Sequence, residues 1–200
     1  RVDRRQRQMC IRDRQQPAAP LVLTELVVDS NNVGGSDGYE FIEITNTTNQ
    51  PIGFGDYTIR YLYPIDETEN SSTAHWPARP HDPVIQPGAS LVFWIKNGPN
   101  NDLKADDFNA QFGTDLVLGE NLVEIFTGGM ANGSPRGVQI ETNTGTIINR
   151  GYYNMNGKDV RLNQGLIFDV NPADLLKQTL RGTDALSLIH ISEPTRLLSI

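Results

Sequence analysis

Apolar and polar residues alternate with a period of two in several short stretches of this chain, and clusters of turn-forming residues separate those stretches. Residues 21–28, LVLTELVV, form a β-branched run of strand length. Residues 29–38, DSNNVGGSDG, are turn formers, and residues 39–46, YEFIEITN, resume a strand pattern. In residues 56–63, DYTIRYLY, the side chains of Tyr57, Ile59, Tyr61 and Tyr63 fall on one face. In residues 91–96, LVFWIK, one face takes Leu91, Phe93 and Ile95 and the other takes Trp94 and Lys96. Further strands are predicted at 122–126, 137–141, 146–153 and 165–170. A period of 3.6 shows once, over 103–112, where Ala105, Phe108 and Phe112 share a face, Asn101 or Asp102 is placed to cap the start and Gly113 to end it. Residues 64–83, with prolines at 64, 77, 80 and 83, read as a polar surface loop. Short strands between Gly, Asn and Pro turns predict an all-β, antiparallel sandwich with one short helix. Its core should hold Leu23, Phe41, Ile59, Phe93, Ile95 and Ile125 on the opposed inward faces of two sheets.

Composition narrows the class. Of 200 residues, 38% are hydrophobic, which is enough to build a core, and no apolar run approaches the roughly 20 residues that a membrane-spanning helix needs. The single cysteine excludes an internal disulfide and a cysteine-based zinc site. The net charge of −7 argues against nucleic acid as a partner.

The two ends differ in composition from everything between them. Residues 4–14, RRQRQMCIRDR, and 186–196, LSLIHISEPTR, resemble the translation of sequencing adapters used in transposase-based library preparation, whose inner portions are reverse complements of one another. Residues 1–14 and 186–200 are therefore expected to be processing scars, with 15–20, QQPAAP, a linker and 21–185 the domain. On that division Cys10 is adapter-derived, the arginine-rich start carries no meaning as a nucleic-acid arm, and the remaining segment has a net charge of about −11.

Residues 40–46, EFIEITN, resemble the signature of the lamin tail domain, an immunoglobulin-like sandwich of nuclear lamins and of many bacterial secreted proteins. Thr24-Glu25 is similar to the family's opening strand, Pro51-Ile52 with Phe54 and Asp56-Tyr57 to its next hairpin, and residues 85–93, IQPGASLVF, to its Pro-Gly-turn strand. The specific resemblance covers about residues 21–126, and residues 127–185 resemble only the longer bacterial version, in which GGMANGSPRG links two late strands. The family's closing Thr-Pro-Gly stretch has no counterpart before the adapter-like tail, which implies a truncated C-terminus. The resemblance implies an accessory or binding module of a secreted or cell-surface bacterial protein, beside a catalytic domain such as a metallophosphoesterase or nuclease, with cell-wall polysaccharide or that domain as partner. The alternatives are an active-site part completed by another domain, and a structural spacer.

The residues themselves offer few chemical groups in useful patterns. Asp29, Asn31, Gly34 and Glu40 occupy the first, third, sixth and twelfth positions of a calcium-loop pattern, but Val33 fails the fifth and the flanks are strands, so a solvated hairpin accounts for the same residues. Glu40 and Glu43, three apart on a strand, point to opposite faces and cannot serve one substrate; Glu43 matches a position of the family it resembles, and tying a loop or a neighbouring strand is its expected role. His75, His81 and Asp82 have the atoms for a metal site and nothing nearby to fix their geometry. Residues 133–137, GSPRG, are not a nucleophile elbow, and Gly128-Gly129 lacks the Lys and Ser/Thr of a phosphate loop. No catalytic residue, metal or cofactor is implied. The remaining candidate is an aromatic surface for sugar rings or a peptide, made of Tyr57, Tyr61, Tyr63, Trp76 and Trp94, unless those rings belong to the core and to the underside of the helix.

Overall fold

In the computed structural model residues 18–185 are described, and the two adapter-like ends, 1–14 and 186–200, lie outside the described residues. The chain enters on β1 (Leu21–Val27) and turns through a minimal hairpin, β2 (Asn32–Val33) and β3 (Ser36–Asp37). Gly34 and Gly35 make that turn with φ of 57° and 88°, the left-handed pair that a two-residue hairpin requires. The chain returns as β4 (Phe41–Asn46). A short β5 (Ile52–Gly53) and one 3-10 turn lead to β6 (Tyr57–Pro64) and its partner β7 (Asn70–Trp76). Then follow β8 (Ala78–Arg79), β9 (Val84–Ile85), β10 (Ser90–Lys96), the helix α1 (Ala105–Phe112), β11 (Leu122–Phe126), β12 (Arg136–Thr142), β13 (Ile147–Tyr153), β14 (Gln164–Asp169) and β15 (Thr179–Ala185).

Two sheets face each other. One has seven strands in the order β15-β14-β1-β4-β10-β11-β8, the other four in the order β13-β12-β6-β7. Neighbours run antiparallel except β10 and β11, which are parallel because the connection between them is a helical crossover rather than a hairpin. Between the sheets, Leu23, Ile42, Phe93 and Ile125 of the larger meet Ile59, Val138 and Ile140 of the smaller in one buried cluster. Gly151 on β13 permits the close approach, since a Cβ there would stand 2.7 Å from Leu23 and 2.7 Å from Phe168. The outer face of the larger sheet carries a second cluster, in which Val27, Phe41, Val92, Trp94 and Leu122 pack under Phe108 of α1.

That second cluster corrects one core assignment. Leu23, Ile59, Phe93, Ile95 and Ile125 lie between the sheets, but Phe41 lies under the helix, with its ring 5.9 Å from that of Phe108. Alternation along β4 puts Ile42 and Ile44 inward, so Phe41 must face outward. Two further expectations change. The loop predicted at 64–83 contains β7 and β8: NSSTAHW has weak strand propensity, and its backbone pairing with β6 along an edge of the sheet forms the strand. The cap of α1 is neither Asn101 nor Asp102. Lys104 stands at the N-cap with its N–H bonded to the Asp107 carboxylate at 2.7 Å, while Asn101 accepts from the Gly98 N–H. Gly113 ends the helix in the left-handed conformation, as its position predicts.

Because Phe93 is fully buried between the sheets, Phe93→Ala should cost about 3–5 kcal/mol of unfolding free energy in urea denaturation. Gly151→Val should cost about 1–3 kcal/mol by forcing the sheets apart. A loss under about 0.5 kcal/mol in either variant would contradict this packing.

Candidate functional site

The strand signature of residues 40–46 builds the first polar constellation. Its outward residues, Phe41, Glu43 and Thr45, alternate with the inward Ile42 and Ile44, and all are buried because the outer face of this sheet is covered as well. Glu43 is fully buried, and the Thr24 hydroxyl on the neighbouring strand donates to its Oε1. Burial raises the Glu43 pKa to about 7, against which the Thr24 bond acts. Glu43 therefore ties β4 to β1. Glu40 precedes the strand, and its Oε1 accepts the Met130 N–H at 2.6 Å. Burial, reinforced by the nearby Asp37 and Asp29 carboxylates, raises its pKa to about 8. The two glutamates serve separate places.

The calcium-loop residues do not assemble. The side-chain amide of Asn31 donates to Gln111 Oε1 and its backbone N–H to Asn163, Val33 pairs with Ser36 inside the hairpin, and Glu40 is held by Met130. Asp29 lies beside Asp37, and burial followed by that carboxylate raises its pKa. Among the described residues no three His, Cys, Asp or Glu side chains converge where a metal ion could sit. His75 shares a hydrogen bond of 2.7 Å with the Thr58 hydroxyl on the adjacent strand, and Asp82 accepts the Gly55 N–H, so these groups and His81 form no centre.

The five candidate aromatics fall in separate places. Tyr61 and Trp76 are buried between the sheets and stack with ring centroids 4.3 Å apart, and Tyr63 packs edge-on against Tyr61. Tyr57, half-buried, stacks on Phe54. Trp94 is fully buried on the other side of the larger sheet, where it donates to the Gly38 carbonyl and carries the Lys96 ammonium 3.6 Å from its ring centroid. An exposed stacking platform cannot be made from these residues, because the even and odd positions that place Tyr61 and Trp94 on their strands both point into covered layers.

A cleft of about 340 Å³ lies elsewhere, assembled from three segments distant in sequence. Glu67 comes from the β6–β7 turn, Tyr152, Asn156 and Asp159 from the end of β13 and the loop after it, and Asn171, Lys177 and Gln178 from the connection into β15. Each segment is held in place. Lys177 and Glu67 pair at 2.6 Å, linking the β6–β7 turn to the late connection. Residues 176–178 run along β13, where Arg150 N–H donates to Leu176 O and Gln178 N–H to Arg150 O. Asn154, buried and left-handed at φ 56°, exchanges hydrogen bonds with Asp159 that close the loop between them. The Tyr152 ring crosses over its strand neighbour Gly137, where a Cβ would stand 2.7 Å from it. The Gly of GSPRG thus makes room for a cleft wall, a signal that only the register between two strands reveals.

Residues 14–154 match the family described as Lamin Tail Domain. The chain is also similar to "Uncharacterized protein YvnB" of Bacillus subtilis (strain 168), at 46% identity over 135 residues, which is 66% of this chain and 10% of that protein. The chain therefore spans about a tenth of the length of that relative.

The two buried glutamates predict an unusual dependence of stability on pH. Both have folded pKa values, about 8 and about 7, above the ordinary 4.5, so between those limits the folded chain holds protons that the unfolded chain releases. Their contribution is complete below about pH 4.5 and is lost as pH rises to about 8. In urea unfolding at pH 5 and pH 8, the Glu40→Gln/Glu43→Gln double variant should lose less stability over that interval than the unmodified chain. Equal losses in both proteins would contradict the assignment.

Proposed function

This chain belongs to the lamin tail domain family, and we propose that it works as a non-catalytic accessory module of a longer, secreted or surface-attached bacterial protein. The family is non-enzymatic and immunoglobulin-like. The observation that carries the proposal is where the reactive groups are spent. Glu43 is bonded to Thr24, Glu40 to Met130, His75 to Thr58 and Asp82 to Gly55, so the acids and imidazole that chemistry would need serve neighbouring strands and loops instead. The matched segment being a tenth of the YvnB protein supports a module that works within a larger chain. Catalysis then belongs to a companion domain, for which the family resemblance suggests a metal-dependent phosphoesterase or nuclease, and this module holds that domain at its substrate or at the cell wall.

The purified chain should hydrolyse no phosphoester, peptide or glycoside in added zinc, manganese or calcium, and should not retard duplex DNA at physiological salt, given its net charge of −7. Turnover that survives repurification and disappears in a His75→Ala/His81→Ala variant would overturn the proposal.

A further inference from the structure

The cleft between the β6–β7 turn, the loop after β13 and the connection into β15 has a chemical character that selects among ligands. Its one cation, Lys177, is already neutralised by Glu67, and Asp159 adds a second carboxylate, so an anionic ligand would meet net negative charge. The other polar groups are amides and hydroxyls. Asn171 uses its Oδ1 on the Ala173 N–H, which leaves its amide NH₂ to donate, and Asp159 uses Oδ2 on Asn154, which leaves Oδ1 to accept. Asn156, exposed at the rim, supplies both a donor and an acceptor. Such a mixture fits hydroxyls, which donate and accept at once, better than it fits an ion. Met155 and Leu180, both half-buried, supply the apolar part of the wall, with the buried Tyr152 ring behind it. The Tyr152 hydroxyl is buried behind this wall, closed to a ligand in the cleft. At about 340 Å³ the cleft is near the lower end of ligand-sized pockets, suited to one or two rings rather than a long chain.

We propose that this cleft binds an uncharged saccharide unit of one or two rings, with Asn156, Asp159 and Asn171 hydrogen-bonding its hydroxyls. The proposal rests on the reading of the chain as a non-catalytic module and adds to it the class of ligand.

The test is an NMR titration of the full ¹⁵N-labelled chain with four neutral oligosaccharides, the hexamers of cellulose, chitin, starch and xylan, each to about 10 mM, with inorganic phosphate and calcium chloride as charged probes. At least one hexamer should shift the amide signals of residues 152–159 and 171–180, with a dissociation constant of about 1 mM or tighter. Asn156→Ala/Asn171→Ala should weaken that binding about tenfold without moving signals from the inter-sheet core. Silence with all four hexamers, a stronger response to phosphate or calcium, or undiminished binding in the Asn156→Ala/Asn171→Ala variant would overturn the site. None of those results touches the non-catalytic reading, which stands or falls on the turnover screen.

Discussion

β10 has no solvent-facing side, and the architecture follows from that. Every residue from Ser90 to Lys96 is buried, with Leu91, Phe93 and Ile95 against the smaller sheet and Val92 and Trp94 under α1. A strand covered on both faces needs a layer on each side, so the crossover from β10 to β11 is a helix, and the parallel pairing of those strands comes with it. Phe108 closes the outer layer by meeting both Phe41 and Trp94. The signature strand β4, next to β10, inherits the same two-sided burial.

Two-sided burial also brings ionisable groups inside, and each is bonded there. Lys96 donates to the Leu103 carbonyl, pairs with Glu124 at 3.5 Å and lies over the Trp94 ring, although desolvation still lowers its pKa. Glu43 takes the Thr24 hydroxyl. Buried amides do comparable work for the loops. Asn46 donates to the Gln50 and Ile85 carbonyls, Asn100 to Gly38 and Ile95, and Asn149 accepts the Leu23 N–H while donating to Leu175. Polar groups satisfied in this way specify one arrangement of connections, and they are not free to bind or activate a substrate. The polar groups named here serve the structure of the domain's interior.

The cleft at that rim shows how such a scaffold acquires a surface. Its walls belong to loops, but an ion pair between Glu67 and Lys177, the pairing of residues 176–178 with β13 and the Asn154–Asp159 exchange hold those loops to the strands. A cleft fixed in this way would lose little freedom on taking up the saccharide proposed above, which would favour recognition by a few weak hydrogen bonds.

Apolar runs of strand length and period-two alternation by themselves marked β1, β4, β6 and β10 to β14, because the covalent geometry of an extended chain sends successive side chains to opposite sides whatever surrounds them. In the same local way Ala105, Phe108 and Phe112 announced α1 and Gly113 its end, and EFIEITN marked the family. Alternation sorts residues into two sets without saying what each set meets. Only the packing of the sheets decided that Ile42 and Ile44 face the smaller sheet and Phe41 the helix, that Tyr61 and Trp76 stack in the core while Trp94 lies in the other layer, and that NSSTAHW is a strand. The cleft was invisible for the same reason. Glu67, Tyr152 and Lys177 have no relation in sequence, and come together only because backbone pairing brings β6, β13 and the late connection to one end of the sandwich, a long-range register that no local pattern of residues encodes.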